Sequence, residues 1–286
     1  MKTIDLHVHS NFSDGTFSPK ELILLAKKKG LSAMALTDHD TVSGITPMLE
    51  AIKETGAELE FIPGTELSVD YKGTEIHMVG LFLDYTNKEF IERTTFFRKK
   101  RENRNEEMVE NFRNAGIPMT IDALKGGNPD TVITRAHFAK FLIENGIVKN
   151  AKEAFTDKYL GEHSPFYVPR THMDSMDAIR LLLKADGIPV LAHPMHYKME
   201  EGRLRTMLSE LKEAGLVGME TRYSNHTEQD NVFTSRLAKE YGLLPSGGSD
   251  FHGKNKPLIE LGTGRGNLVV PYEFLEQLKL KKEQGV

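Results

Sequence analysis

The chain has 286 residues, 39% hydrophobic and 27% charged with a net charge of -4, so it is long enough for one large domain or one domain carrying an insertion. Cysteine is absent, which excludes disulfides and thiolate metal sites and leaves any metal to nitrogen and oxygen ligands. No apolar run approaches the roughly 18 residues of a membrane span, and the charge balance argues against bulk electrostatic capture of nucleic acid.

Strand-like sequence begins at Ile4, too close to Met1 to leave room for a signal peptide, so a cytoplasmic location is expected. Along that first strand Ile4, Leu6 and Val8 point one way while Asp5, His7 and His9 point the other. Two imidazoles on one face can chelate an ion. With 11 His in the chain, however, a His-x-His pair is expected by chance on the order of once in two such chains. The next loop carries Asp14 in the turn sequence Ser13-Asp14-Gly15. Ser18-Pro19-Lys20-Glu21 is a capping box with proline at the first helical position, and it marks the first helix.

From there one pattern recurs: an amphipathic helix ending in Gly, a short apolar strand, and a polar residue at the strand's carboxyl end. It appears as ILLAKKKG-LSAMALTDH, AIKETG-AELEFIPGTE, LLLKADG-IPVLAH, LKEAG-LVGMET and LAKEYG-LLPSGGSD. The glycines suit left-handed helix C-caps. The strand ends deliver His39, Glu66, His193, Glu220 and Asp250, with His252 just beyond and His77 inside the apolar run EIHMVG. Such alternation predicts an α/β fold with a mostly parallel sheet and its chemistry at the carboxyl ends of the strands.

Residues 90–174 break the rhythm. EFIERTTFFRKKRENRNEEMVENFRNAG reads as one long charged helix, and ITRAHFAKFLIENG and AKEAFTDKYLG read as two shorter ones. Residues 1–90 and 175–286 are therefore expected to form two parts of one barrel, with 91–174 a helical insertion that caps the substrate. The run Arg98 to Arg101 reads as a solvated helix face, because Glu102, Glu106 and Glu107 follow at once.

His7, His9, Asp14, His39, Glu66, His77, His193, Asp250 and His252 make nine candidate metal ligands, more than one tetrahedral ion can use. The set fits two or three divalent ions with Glu66 bridging, and mixed imidazole and carboxylate ligation suits Mn, Zn or Fe. Asp38 or Asp40 is expected to hold a ring N–H from outside.

The motifs HVHSNFSDG, LTDHD, GTELS, IHMVG, LAHP and GSDFH, in that order over residues 1–85 and 178–255, resemble those of the PHP family, named for polymerase and histidinol phosphatase. The resemblance implies a distorted (β/α)7 barrel, a di- or trinuclear metal centre and phosphoester hydrolysis by a metal-activated water. It assigns His7, His9, Glu66 and Asp250 to one ion, Glu66, His77 and His193 to a second, and Asp14, His39 and His252 to a third. TRAHFAKFL and KYLGEHSPFYVPR are similar to the insertion of the nucleotide-acting branch, which removes the 3′-phosphate from 3′,5′-bisphosphonucleotides or trims RNA from its 5′ end.

On that resemblance Arg135, His137 and Arg170 are candidates for gripping a substrate phosphate, and His193 or His226 for protonating the leaving group. Family members often carry EVYHP or similar where this chain has ETRYSNHT, residues 220–227, which leaves the roles of Arg222 and His226 open. The alternatives are a histidinol-phosphate or other small phosphomonoester phosphatase, an amidohydrolase-type C–N hydrolase, and a noncatalytic metal-binding module. The expected partner is a small phosphorylated substrate, nucleotide or short RNA, with no membrane and no obligate protein partner.

Overall fold

Eight strands carry the sheet of the computed structural model, which describes residues 2–285. They are β1 (Ile4–Asp5), β2 (Ala33–Leu36), β3 (Glu60–Tyr71), β4 (Thr74–Leu81), β5 (Met173–Asp174), β6 (Ile188–Leu191), β7 (Gly218–Tyr223) and β8 (Leu244–Gly248). Hydrogen-bonded neighbours run β1-β2-β3-β4-β6-β7-β8, with β5 beside β3. The ends of that path meet, because Leu6 N donates to Gly247 O at 3.2 Å, Asp250 N to His7 O at 2.8 Å and His9 N to Phe251 O at 3.0 Å. The sheet is thus a nearly closed, barrel-like ring.

Ten helices accompany it among the described residues: α1 (Pro19–Lys29), α2 (Ile45–Thr55), α3 (Lys88–Asn114), α4 (Ile121–Lys125), α5 (Arg135–Glu144), α6 (Ala151–Ala154), α7 (Ser175–Lys184), α8 (Glu201–Glu213), α9 (Glu228–Glu240) and α10 (Tyr272–Glu283). Helix α1 starts on the capping box read from sequence: Ser18 Oγ accepts the Glu21 N–H at 3.4 Å, and the Glu21 carboxylate accepts the Ser18 N–H at 2.7 Å. Gly30 ends it at φ 70°. No helix is long and apolar enough to cross a membrane among the described residues.

The sheet departs from the mostly parallel expectation at its centre, where β4 runs antiparallel to both β3 and β6. The cause is local. Lys72 and Gly73 connect β3 to β4 with φ 48° and 81°, the two left-handed positions that a tight hairpin with the right twist requires. Glu66 therefore lies midway along a 12-residue strand and not at its end. Alternation then sets Glu66, Ser68 and His77 on one face of the hairpin and Leu67, Val69, Ile76 and Met78 on the other, where they pack with Ile179 and Leu182 of α7. Gly80 faces the same helix: a Cβ there would come within 2.4 Å of Leu182 Cδ2, so the close approach of strand to helix needs glycine.

The stretch outside the helix-strand rhythm contains α3 to α6, and the helix expected over AKEAFTDKYLG shortens to the four residues of α6. Phe112, Phe138, Leu142 and Leu160 pack there in a hydrophobic cluster separate from those of the barrel. Each such fully buried side chain stabilises by roughly 1.5–3 kcal/mol, enough to hold a small helical layer together. Polar contacts dock that layer on the loop after β1. Val132 N donates to Phe12 O at 2.9 Å, Thr131 Oγ1 to Asn11 O at 2.8 Å and Thr134 Oγ1 to Asp14 Oδ2 at 2.9 Å.

Candidate metal centre and arginine cleft

Glu66 is the hub of a buried cluster. Its Oε2 stands 3.2 Å from His7 Nε2, from His9 Nε2 and from His39 Nδ1. Its Oε1 stands 2.9 Å from His77 Nδ1 and 3.0 Å from His193 Nε2. Around this hub, His9, Asp14, His39 and His252 offer ligand atoms within 4.8 Å of one another, as do His7, His9, Glu66 and Asp250, and His39, Glu66 and His77. Backbone geometry delivers these groups. Gly248 lets β8 approach so closely that a Cβ there would lie 2.4 Å from His7 Cβ, while His193 and Asp250 adopt positive φ of 26° and 56°. Such backbone costs about 1–3 kcal/mol per residue and persists only where the surroundings enforce it.

The electrostatics are those of a site built for cations. Burial alone would raise the Glu66 carboxyl, but His7, His39 and His77 hold it well below the ordinary range. Burial would lower His9 and His77, yet the nearby carboxylates of Asp250 and Glu66 hold His9 at about 9, and the charge of Glu66 with the hydrogen bond it accepts holds His77 at about 10. His39, by contrast, is pushed down to about 3 by burial, against the pull of Glu66 and Asp14. His7 Nε2, His9 Nε2, His39 Nδ1, His193 Nδ1 and Asp14 Oδ1 are buried without a hydrogen-bond partner. Unpaired buried polar atoms cost about 1–3 kcal/mol each, and a divalent cation satisfies imidazole nitrogen and carboxylate oxygen together. The donor set fits such ions.

The cluster opens into a cleft of ≈ 490 Å³ between the barrel and the helical layer. Arg101, Arg104, Arg135 and Arg170 line it, with Phe155 and Tyr167. Arg170 Nη2 donates to Asp40 Oδ2 at 2.8 Å, and Arg101 Nη2 donates to the same oxygen. Arg104 and Arg135 lie over the Tyr167 ring at 5.4 and 6.0 Å from its centroid. One wall of the cleft is thus a metal-ligand array and the other a bank of guanidiniums.

Comparison with known proteins gives this geometry a family. The PHP domain model matches residues 5–160, more than half the chain. The chain belongs to the PHP family. A 5′-3′ exoribonuclease of Haemophilus influenzae is 38% identical over 91% of this chain and 96% of its own length. A 3′,5′-nucleoside bisphosphate phosphatase of Chromobacterium violaceum is 33% identical over 88% of both. Among solved structures, a chain from Bifidobacterium adolescentis assigned as a metal-dependent phosphoesterase superposes with a TM-score of 0.84 at 28% identity, covering 98% of this chain and 96% of that one.

Within this PHP chain all nine residues proposed as ligands from sequence lie in or beside one cluster, and the groups the motifs implied share members beyond Glu66. His9 reaches both the Asp14-His39-His252 group and the His7-Glu66-Asp250 group, and His39 faces Glu66 and Asp14 alike. The outer support was misread. Asp38 accepts from Ser10 N at 2.8 Å, Ser10 Oγ at 2.6 Å and Ser13 Oγ at 2.6 Å, and Asp40 is committed to arginines, so neither holds a ring nitrogen. That task falls to Glu220, whose Oε1 lies 2.8 Å from His7 Nδ1. Asp5 parts from its strand-mates too: its carboxylate accepts from Ser249 N at 2.8 Å and Gly262 N at 2.8 Å, stitching β1 to the loop after β8.

Of the phosphate candidates, Arg135 and Arg170 line the cleft, but His137 does not. It is the N3 residue of α5, buried, with Nδ1 accepting the Thr134 N–H at 3.0 Å, a helix-capping role. His226 is also withdrawn. It is buried edge-on to Tyr223, with ring centroids 5.4 Å apart, and does not line the cleft. Arg101 corrects the solvated-face reading of Arg98 to Arg101: it is 5% exposed, because the turn of α3 that bears it faces Asp40. Arg104, Tyr167, Glu75, His172 and His196 also line or border the cleft and were not singled out from sequence.

Proposed function

We propose that this chain is a metal-dependent phosphoesterase that hydrolyses phosphate esters of nucleotides, with the 3′-phosphate of a 3′,5′-bisphosphonucleotide or the end of a short 5′-phosphorylated RNA as substrate. The observation that carries the reading is the shared carboxylate of Glu66 amid His7, His9, His39, His77 and His193, at one end of a cleft whose other wall is arginine. The names of the Haemophilus and Chromobacterium relatives point to the same substrate class.

In this proposal His7, His9, Glu66 and Asp250, then Glu66, His77 and His193, then Asp14, His39 and His252 hold two or three divalent cations, Mn, Zn or Fe. When bound, such cations activate water near neutral pH and neutralise the nonbridging phosphate oxygens. Lys256 Nζ, at 2.6 Å, and the Tyr223 hydroxyl, at 2.8 Å, donate to Asp250 Oδ2 and leave Oδ1 to face His7 and His9. His193, with Nε2 on Glu66, is counted as a ligand and not as a free acid.

Arg135 and Arg170 grip the phosphate that is not cleaved, by the fork geometry that suits guanidinium to phosphate. Phe155 offers a face on which a nucleobase stacks. His196, 5.4 Å from His193 and lowered to about 4 by burial and by His193, stays neutral at pH 7 and can accept a hydrogen bond there.

The test is phosphate release from 3′,5′-bisphosphoadenosine, 5′-phosphorylated trinucleotide RNA and histidinol phosphate by manganese-loaded protein. The nucleotides are expected to win, and chelation by EDTA or His9→Ala to abolish turnover. Histidinol phosphate as best substrate, or turnover that survives chelation, overturns the reading.

A further inference from the structure

Glu75, on β4 two residues before His77, extends its carboxylate into the arginine-rich end of the cleft. Four cationic or donor groups face it and none is in tight contact. Oε1 lies 3.6 Å from Arg170 Nη1, 3.4 Å from His172 Nε2 and 3.6 Å from His77 Nε2, while Oε2 lies 3.8 Å from Arg135 Nη2. All of these exceed an ordinary hydrogen-bond length. Meanwhile Arg170 Nε, a donor, and the ring nitrogen His172 Nε2 are buried without a hydrogen-bond partner. The seat is therefore larger than the two-oxygen anion within it. A phosphate, with three peripheral oxygens and a charge of about -1.5 to -2 near pH 7, fits such a ring of donors better than a carboxylate does.

Glu75 is not needed to aim these arginines. Arg170 is fixed by Asp40 at 2.8 Å, and Arg135 lies over the Tyr167 ring. At 35% side-chain exposure, next to the Lys72–Gly73 turn, its carboxylate has open space to swing into. Building on the phosphoesterase reading above, we propose that Glu75 is a displaceable internal anion occupying the seat of the substrate's uncleaved phosphate. It competes with substrate and product for Arg135 and Arg170, and so sets how tightly the cleft retains a phosphate. An internal competitor lowers apparent affinity for every occupant of the seat and leaves a ligand that does not enter it untouched.

The experiment measures binding of 5′-AMP and of adenosine to manganese-loaded wild type, Glu75→Gln and Glu75→Ala by calorimetry at pH 7.5. Both variants are expected to bind 5′-AMP more tightly, on the order of fivefold, and adenosine as wild type does, which also reports that the cleft is folded. The KM for 3′,5′-bisphosphoadenosine should fall in parallel. Wild type preferring 5′-AMP to adenosine, with the variants unchanged or weaker for 5′-AMP, would overturn the role of Glu75 and leave the phosphate seat standing. Wild type and variants all binding 5′-AMP no better than adenosine would overturn the seat itself, and this inference with it.

Discussion

Glu220 ties His7 to His193: one carboxylate oxygen lies 2.8 Å from His7 Nδ1 and the other accepts the His193 backbone N–H at 2.6 Å. The first contact fixes the His7 ring with Nε2 turned to Glu66, and the second pins a backbone at φ 26°. Partners that orient a ligand histidine typically matter by about 10–100-fold in metal affinity. Glu220→Gln is expected to lose affinity in that range, because an amide cannot accept at both ends. A competition titration against a chromophoric chelator measures it, and wild-type affinity in the variant would show that His7 needs no such support.

Cation uptake should release protons. In the ion-free cluster His9 and His77 titrate at about 9 and about 10, raised by the carboxylates of Asp250 and Glu66 beside His9 and of Glu66 beside His77, against the opposing effect of burial. Both are protonated at pH 7.5, whereas a ligand imidazole must be neutral. Affinity for manganese or zinc is therefore expected to climb as pH rises from 6 towards 9, with protons expelled per ion. Calorimetry in two buffers of different ionisation enthalpy reads the number. Uptake without proton release at pH 7.5 would contradict the charge state drawn for the cluster.

Much of this centre was legible in the chain itself, and the reason is periodicity. Each helix-to-strand unit ends on a polar residue, and Gly248, Asp14, Glu66 and His193 occupy positions that packing alone does not explain. What escaped was set by long-range geometry. The β3–β4 hairpin depends on two left-handed residues, one of them Lys72, whose sequence does not advertise a turn. Glu220 was visible as a strand-end acid, yet its attachment to His7 across 213 positions was not. Arg101 sits in a run of charges that reads as solvent-facing, and only the fold brings it to Asp40 in the loop after β2 and to Ser68 on β3. His137 was misjudged for the opposite reason, since a cap histidine and a ligand histidine look alike in sequence.

Phe155 is a large apolar side chain left 44% exposed on the lining of a charged cleft. Nothing in packing calls for it there, whereas stacking of a base on an aromatic ring contributes roughly 1–3 kcal/mol. Phe155→Ala is expected to raise KM for 3′,5′-bisphosphoadenosine about tenfold and to leave ribose 3,5-bisphosphate unaffected. Steady-state kinetics with both substrates settle it; equal losses would assign Phe155 to the architecture of the cleft and not to the base.

Asp40 is the pivot on which the arginine wall hangs. It sits at φ 52°, accepts from Arg101 and Arg170 through Oδ2, and takes the Ser68 N–H on Oδ1 at 3.0 Å. Burial would raise its carboxyl, but the two guanidiniums hold it well below the usual range. A depressed carboxyl stabilises the fold above its unfolded pKa of about 3.9 and loses that contribution as pH falls through the lower folded value. Asp40→Asn leaves two guanidiniums, each under 10% exposed on its side chain, without the carboxylate to which both donate. Breaking a buried pair costs about 3–5 kcal/mol, far more than a surface pair. The variant should therefore melt earlier at pH 7, show a weaker dependence of stability on acid below pH 4, and bind substrate poorly because Arg170 is no longer aimed. Adding Arg101→Met should restore part of the stability, by removing one stranded charge, but not the substrate affinity. A melt of Asp40→Asn within about 0.5 kcal/mol of wild type, the range of an ordinary surface substitution, would mean that the arginines carry no net burial cost and that Asp40 does not organise them.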